Sequence, residues 1–451
     1  MEHNLRKRWR PSRKTFWLAL GLGLGALLVA LLGHWWPLFA QGWLQTGFML
    51  LAGLFSGLVL LDYAASRSQR PLRVERQLAS GLALNQWTEV KLTLHHEFRY
   101  PQVVDVFDGI NSQVVSEQAH QRVPLQPQQT TQISYRLRPL QRGPLRLHEC
   151  HLRIPTPLGF GNIAYRVASE SVAKVYPNFS SIAAYTLLAA ENHTSELGIR
   201  RKSRRGQGLD FHQLREYRQG DSLRQVSWKS SARRQQLISK EYQDERDQNV
   251  ILLIDSGRRM RAKDDELDHF DHALNACILV SYIALRQGDS VGVMSFGNSD
   301  RWISPQKGAN RVHVILNGLY DLQAGNRASD YLVAAEKLSQ RQRKRSLVVI
   351  VTNSRDEEID ELLMAVKLLQ KRHLVLVANI REAILDESLQ VPITTLDQAA
   401  TYSGTVTYLQ QRTAAQRKLR QGGIYAVDCL AKELAPALAN SYWEIKRAGV
   451  L

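Results

Sequence analysis

Cysteine is scarce in this chain. Cys150, Cys277 and Cys429 lie far apart in 451 residues, with no C-x-x-C pair and no histidine cluster at ligand spacing. That argues against a disulfide-stapled scaffold or a zinc ribbon and leaves reduced, buried thiols. Phosphate-binding and hydrolase signatures are missing as well: there is no G-x-x-x-x-G-K-S/T loop, no H-E-x-x-H pair and no G-x-S-x-G elbow. The glycine-rich GLGLG at residues 21–25 sits inside an apolar run and is no phosphate loop. No Ser, His or Asp is placed by a catalytic motif, so an enzyme is not expected. Proline (14) and glycine (28) are sparse, which with 44% hydrophobic residues indicates a folded chain, too long for one ordinary domain.

Acidic residues are the scarcer charge, 42 against 59 Lys and Arg, giving a net charge of +17. A balance this basic suits an anionic membrane face or nucleic acid. The first sixty residues favour the membrane. TFWLALGLGLGALLVALLGHWW, Thr15 to Trp36, holds no Asp, Glu, Lys or Arg and is long enough to cross a hydrocarbon core of about 30 Å. A second apolar run, Trp43 to Leu61, follows the short PLFAQG loop, so residues 15–66 read as a hairpin of two membrane helices. Arg6, Lys7, Arg8, Arg10, Arg13 and Lys14 precede it and Arg67, Arg70, Arg73 and Arg76 follow it, which places both ends in the cytoplasm and residues 1–14 as a basic cytoplasmic N-terminus. Trp17, Trp35, Trp36 and Trp43 fall near the span ends. Gly21/Gly25 and Gly53/Gly57, at four-residue spacing, would let the helices approach closely.

Between residues 74 and 178 the pattern changes to short alternating segments such as WTEVKLTLHHE and PLRLHECHLRI, which predicts a small antiparallel β-sandwich. Adjacent His95 and His96 would point to opposite faces of a strand, so no metal site is read there.

Residues 198–248 form a basic segment, with eleven Lys and Arg between Arg200 and Arg234 against Asp210, Glu216 and Asp221. Phe211, Tyr217 and Trp228 could stack on bases, yet acidic residues interrupt the run and no groove-reading module accompanies it. Anionic lipid or an acidic protein fits better. Asp221 after Gly220 would cap a short helix, and Trp228 would add apolar anchoring beside Lys229 and Arg233. Arg215, Tyr217, Asp221, Arg224, Trp228, Lys229 and Arg233 are therefore the candidate partner-binding residues. The stretch GQGLDFHQLREYRQGDSLRQVSWKSSARR, Gly206 to Arg234, with KEYQDERDQNVILLIDSG after it and YWEIKRAGVL at the end, resembles the domain of unknown function 58 family. That family comprises membrane-anchored proteins with a von Willebrand factor A-like domain. The resemblance implies partnership with a MoxR-type AAA+ ATPase that assembles or activates protein complexes, sometimes beside a transglutaminase-like membrane protein.

From residue 249 to 451, apolar strands VILLI, VGVMSF, SLVVIV, LVLVAN and a shorter IYAV alternate with helical patterns, the signature of a doubly wound parallel sheet. Ligands of such sheets bind beyond the carboxyl ends of the strands, and Asp255 ends VILLI. In von Willebrand A domains, this position opens an Asp-x-Ser-x-Ser loop that, with a Thr and an Asp from later loops, holds Mg²⁺ or Mn²⁺. Here Asp255 matches, but the serine positions read Gly257 and Arg259, the later aspartate falls on Asn353, and the threonine loop lies near Ser329. Lost oxygen ligands and a nearby Arg258 or Arg259 act in the same direction: two unit charges 4 Å apart interact by about 4 kcal/mol at an effective dielectric of 20. The resemblance thus implies a degenerate metal site with no cofactor, in which an Arg–Asp255 ion pair substitutes for the ion. The expected function is an inner-membrane scaffold with cytoplasmic domains. The other reading is anionic-lipid or nucleic-acid binding through Arg200 to Arg234.

Overall fold

The computed structural model describes residues 6–35, 43–67, 72–98, 100–127, 129–178, 210–218, 222–243 and 248–450. The chain divides into two compact units, Met1–Val175 and Tyr176–Leu451.

In the first unit, strand β1 (Arg6–Pro11) leads into helices α1 (Arg13–Trp35) and α2 (Trp43–Arg67), both long and apolar enough to cross a membrane. Leu28, Leu50 and Leu54 stand exposed along them, as side chains facing hydrocarbon would. Nine antiparallel strands follow: β2 (Arg73–Gln77), β3 (Gly81–Ala83), β4 (Thr88–His95), β5 (Gln102–Asp108), β6 (Val114–Glu117), β7 (His120–Leu125), β8 (Thr131–Pro139), β9 (Gly143–Pro155) and β10 (Gly161–Tyr176). One sheet runs β2-β4-β8-β6 and the other β1-β10-β9-β5-β7, with β3 also against β10. Alternate residues such as Val90, Leu92 and Leu94 are buried, as period-two patterning requires.

A buried ion pair joins the sheets. The Arg76 guanidinium of β2 meets Asp108 of β5, with both side chains fully buried, and Tyr135 of β8 donates its hydroxyl to Asp108 at 2.6 Å. Burial, with the Asp108 charge beside it, pushes the Cys150 thiol up to about 12, so this cysteine is inert.

The N-terminal residues, expected as a basic tail, supply an edge strand. Trp9 lies against Gly161, where any Cβ would overlap its indole, and packs edge-on against Tyr63 of α2 at 5.8 Å. The buried Asp62 of α2 is capped by the β9–β10 turn, accepting from Leu158 N at 2.9 Å, Phe160 N at 3.1 Å and Thr156 Oγ1 at 2.5 Å.

The second unit opens on a hairpin, β11 (Asp210–Glu216) with β12 (Ile238–Gln243), enclosing helix α3 (Trp228–Arg234). Then come β13 (Asn249–Asp255), the two-residue pair β14 (Lys263–Asp264) and β15 (Leu267–Asp268), and helix α4 (His269–Arg286). Strands β16 (Ser290–Phe296) and β17 (Trp302–Lys307) precede helices α5 (Val312–Leu319) and α6 (Tyr331–Arg341). After β18 (Leu347–Thr352), helix α7 (Ile359–Gln370) and β19 (Leu374–Arg381) lie helices α8 (Ala383–Gln390) and α9 (Leu396–Gln421), β20 (Tyr425–Leu430) and helix α10 (Leu434–Ala448). The main sheet runs β17-β16-β13-β18-β19-β20. Its β-branched core is buried on both faces: Val250, Leu252 and Ile254 pack with α4, α5 and α10, while Ile251 and Leu253 pack with α6, α7 and α9. The sheet is not wholly parallel, because β17 pairs antiparallel with β16 at the edge. WISPQK lacks an apolar run and contains Pro305, which an edge strand tolerates. The last strand is Tyr425–Leu430, not the shorter IYAV.

The C-terminal YWEIKRAGVL motif finds a structural explanation. Tyr442 and Lys446 of α10 both donate to the buried Asp289 that precedes β16, at 2.5 and 2.7 Å.

Candidate functional site

The chain leaves β13 for β16 on one side, then crosses to β18 on the other, so the connections diverge above the carboxyl ends of β13 and β18. A crevice at such a switch point is where open α/β sheets take ligands. Asp255 ends β13 and Thr352 ends β18.

The Asp255 carboxylate is 2% exposed and is held by neutral donors. Oδ1 accepts from the Gly257 amide at 2.7 Å and from the Ser329 hydroxyl, and Oδ2 accepts from Thr352 Oγ1 at 2.6 Å. Tyr331 OH lies 2.8 Å from Thr352 Oγ1, extending the chain of hydroxyls inward. Burial pushes the Asp255 carboxyl above the usual range, while the hydrogen bonds from Ser329, Thr352 and Gly257 and the charge of Arg259 pull the other way. Glycine at 257 makes the Ser329 contact fit, since a Cβ there would collide with the Ser329 hydroxyl. The neighbouring Ser256 donates to Phe296 O at 2.6 Å and accepts from the amides of Asn298 and Ser299, tying this loop to the end of β16.

Two expectations about this site need correction. Arg259 does not pair with Asp255; its guanidinium binds Glu358 at 2.7 Å and Glu357 at 3.3 Å. Glu358 meets the Arg259 guanidinium directly, whereas the enclosed Asp255 is already saturated by donors. Burial raises the Glu358 carboxyl, opposed by Arg259. Asn353 does not join Asp255 either. It turns toward His269 Nδ1 at 3.3 Å and donates to Glu382 Oε1 at 3.0 Å. The residue that reaches Asp255 is Thr352, one position earlier, because successive strand residues face opposite ways. Among the described residues, no group of three or more His, Cys, Asp or Glu side chains is placed to hold a metal ion.

Around the crevice stands a rim of exposed arginines. Arg258 and Arg327 are adjacent through the Arg258 N to Arg327 O bond of 2.9 Å, and Arg261 reaches Asn326. Among the described residues, the guanidinium groups of Arg258 and Arg327 have no hydrogen-bond or ion-pair partner. Sequence reasoning missed this rim as a unit, since Arg327 lies far along the chain in a polar loop.

The signature segment is partly in view. Trp228 and Lys229 open α3 and Arg233 lies in its last turn; Trp228 is 66% exposed and both basic side chains are exposed. Arg215 lies on β11, Tyr217 just beyond it, and Arg224 in the single turn Leu223–Gln225. Asp221, expected as a helix cap, lies outside the described residues, as do residues 200–209; Ser222 precedes that turn without a side-chain cap bond.

Residues 213–421 match the family described as "Protein of unknown function DUF58". The "Uncharacterized protein YeaD" of Bacillus subtilis (strain 168) is 26% identical over 329 residues, covering 69% of this chain and 75% of that protein. Among solved structures, an aerotolerance-related membrane protein from Bacteroides fragilis NCTC 9343 aligns at 13% identity and TM-score 0.28, covering 45% of this chain and 98% of that one. Proximal thread matrix protein 1 from the mussel byssus aligns at 12% identity and TM-score 0.27, covering 46% and 48%.

Proposed function

We propose that this chain, whose resemblance to the DUF58 family holds over residues 213–421, is a membrane-anchored scaffold whose von Willebrand factor A-like domain binds an acidic protein partner through the rim around Asp255. The two apolar helices anchor it in the inner membrane, with the N-terminus and both folded units in the cytoplasm by the arginine bias of their flanks. Its partner is a MoxR-type AAA+ ATPase working in the assembly or activation of complexes, with a transglutaminase-like membrane protein as a further neighbour. No catalysis is assigned to it.

One observation carries this reading: Arg258 and Arg327, exposed and unpartnered among the described residues, flank Gly257 and Ser329 in the loops that, with Thr352, occupy the oxygens of the strand-end aspartate. A divalent ion does not fit these residues. Gly257 offers no side-chain oxygen, Arg259 brings a cation, Asn353 faces away, and the one enclosed carboxylate has three donors. The site is a degenerate metal site in which fixed arginines replace the ion as the positive element, and a partner carboxylate would meet them directly. Affinity purification of the full chain from crosslinked membranes with ATP present tests it. Recovery of an AAA+ ATPase supports the reading, and repeated recovery of none counts against it.

A second reading has its own observation. Trp228, Leu223 and Leu237 are exposed beside Lys229, Arg233 and Arg234, a mix that suits anionic lipid or single-stranded nucleic acid. Retention on anionic vesicles or oligonucleotides that falls steeply with salt favours it.

A further inference from the structure

The outward face of the sandwich sheet that contains β1 carries a groove of about 440 Å³. Strand register explains its chemistry. Arg8 of β1 lies opposite Ala164 of β10, which lies opposite Arg153 of β9, and Arg166 lies opposite His151. With Arg10, four arginines therefore project onto one patch, because residues two apart on a strand share a face.

None of Arg8, Arg10, Arg153 and Arg166 has a hydrogen-bond or ion-pair partner among the described residues. The one carboxylate lining the groove, Asp105, is drawn aside by Arg122 at 3.4 Å. Nothing in the sandwich's own stability calls for four unpaired guanidinium groups on one small patch, where they repel one another. An anion in the groove would relieve that repulsion.

We infer that this groove binds the phosphate headgroup of an anionic phospholipid in the bilayer that holds α1 and α2. Continuity with the spans argues for lipid as the source. Arg10 lies three residues before Arg13, where α1 begins, so the groove opens about 10 Å along the strand from the membrane helix, close to the outer edge of the headgroup layer. The sheet is held there by named contacts: Lys7 donates to Ser66 O at 2.7 Å, and Phe160 meets Phe55 of α2 edge-on at 5.9 Å. Guanidinium forks suit phosphate oxygens. The inference rests on the membrane-anchored reading and adds a lipid class to it.

Native mass spectrometry of the full chain released from phosphatidylcholine nanodiscs containing phosphatidylglycerol tests it. Phosphatidylglycerol should be retained in preference to phosphatidylcholine, and the preference should fall about fivefold for each of Arg8→Gln, Arg153→Gln and Arg166→Gln. Asp105→Asn should raise it, a gain that misfolding cannot imitate. Equal retention of the two lipids, or preference unchanged in the triple variant, overturns the proposal. So does displacement of the lipid by millimolar glycerol phosphate, which would assign the groove to a soluble anion. Carbonate-resistant membrane retention of the natural protein and of the triple variant is read in parallel; its absence in the natural protein would refute anchoring itself, separately from the groove.

Discussion

The Thr352 hydroxyl at the end of β18 donates to Asp255 Oδ2 at the end of β13 across 2.6 Å, tying together the ends of two parallel strands. Since Ser329 and the Gly257 amide fill the other oxygen, the carboxylate is spent on its own protein. The exposed arginines beside it are the surface proposed to meet an acidic partner.

The titration of Asp255 follows from this enclosure. A carboxyl raised in the folded state contributes stability that is full below its unfolded value of about 3.9 and is lost as pH rises through the higher folded value. The natural protein should therefore lose stability relative to Asp255→Asn as pH is raised from about 4 to about 7. Asp255→Ala should cost about 1–3 kcal/mol, since three donors lose their acceptor. Melting curves of the three proteins across that range are the check, and a natural protein that gains stability relative to Asp255→Asn as pH rises would be the contrary result.

Metal addition should do nothing. Mg²⁺ up to about 1 mM is expected to leave the melting temperature unchanged, whereas an ion at ten times its Kd would stabilise by about 1.4 kcal/mol. Isothermal titration gives the same answer independently, with no saturable heat.

The Arg76–Asp108 pair predicts an asymmetric response in the sandwich. Asp108→Ala leaves a fully buried guanidinium without its partner and should destabilise by about 3–5 kcal/mol, while Arg76→Met with Asp108→Leu should recover most of that loss. Denaturant unfolding of both variants, followed by protease sensitivity of residues 72–175, distinguishes the outcomes. Equal destabilisation by the single and double changes would remove the argument.

Asp62 fixes the β9–β10 turn to the end of α2 through three donors. Asp62→Ala should expose the turn at Thr156–Gly161 to proteolysis and cost about 1–3 kcal/mol, with membrane retention unchanged. Digestion rates that match the natural protein would show the cap to be dispensable.

The parts legible in the sequence are those where burial writes a pattern. VILLI and SLVVIV are contiguous apolar runs because both faces of the sheet are covered, and Asp255 stands out as the polar residue that ends one. Strand β1 was not legible, since alternating arginines read as a tail until Trp9 is seen packed on Gly161. Edge strand β17 was hidden by Pro305. Ser329 and Thr352 lie 74 and 97 residues from Asp255, so only tertiary structure brings them together, and a one-residue shift separates Thr352, which faces the aspartate, from Asn353, which does not.

Whether recognition runs through arginines or through an ion is tested most directly by crosslinking mass spectrometry of the full chain in intact membranes, comparing the natural protein, Arg258→Glu with Arg327→Glu, and Asp255→Asn. The account predicts crosslinks from an acidic partner surface to the loops at 256–262 and 325–330, lost on charge reversal, kept in Asp255→Asn and indifferent to chelation. Crosslinks that survive charge reversal but vanish in Asp255→Asn or on removal of divalent ions would contradict it.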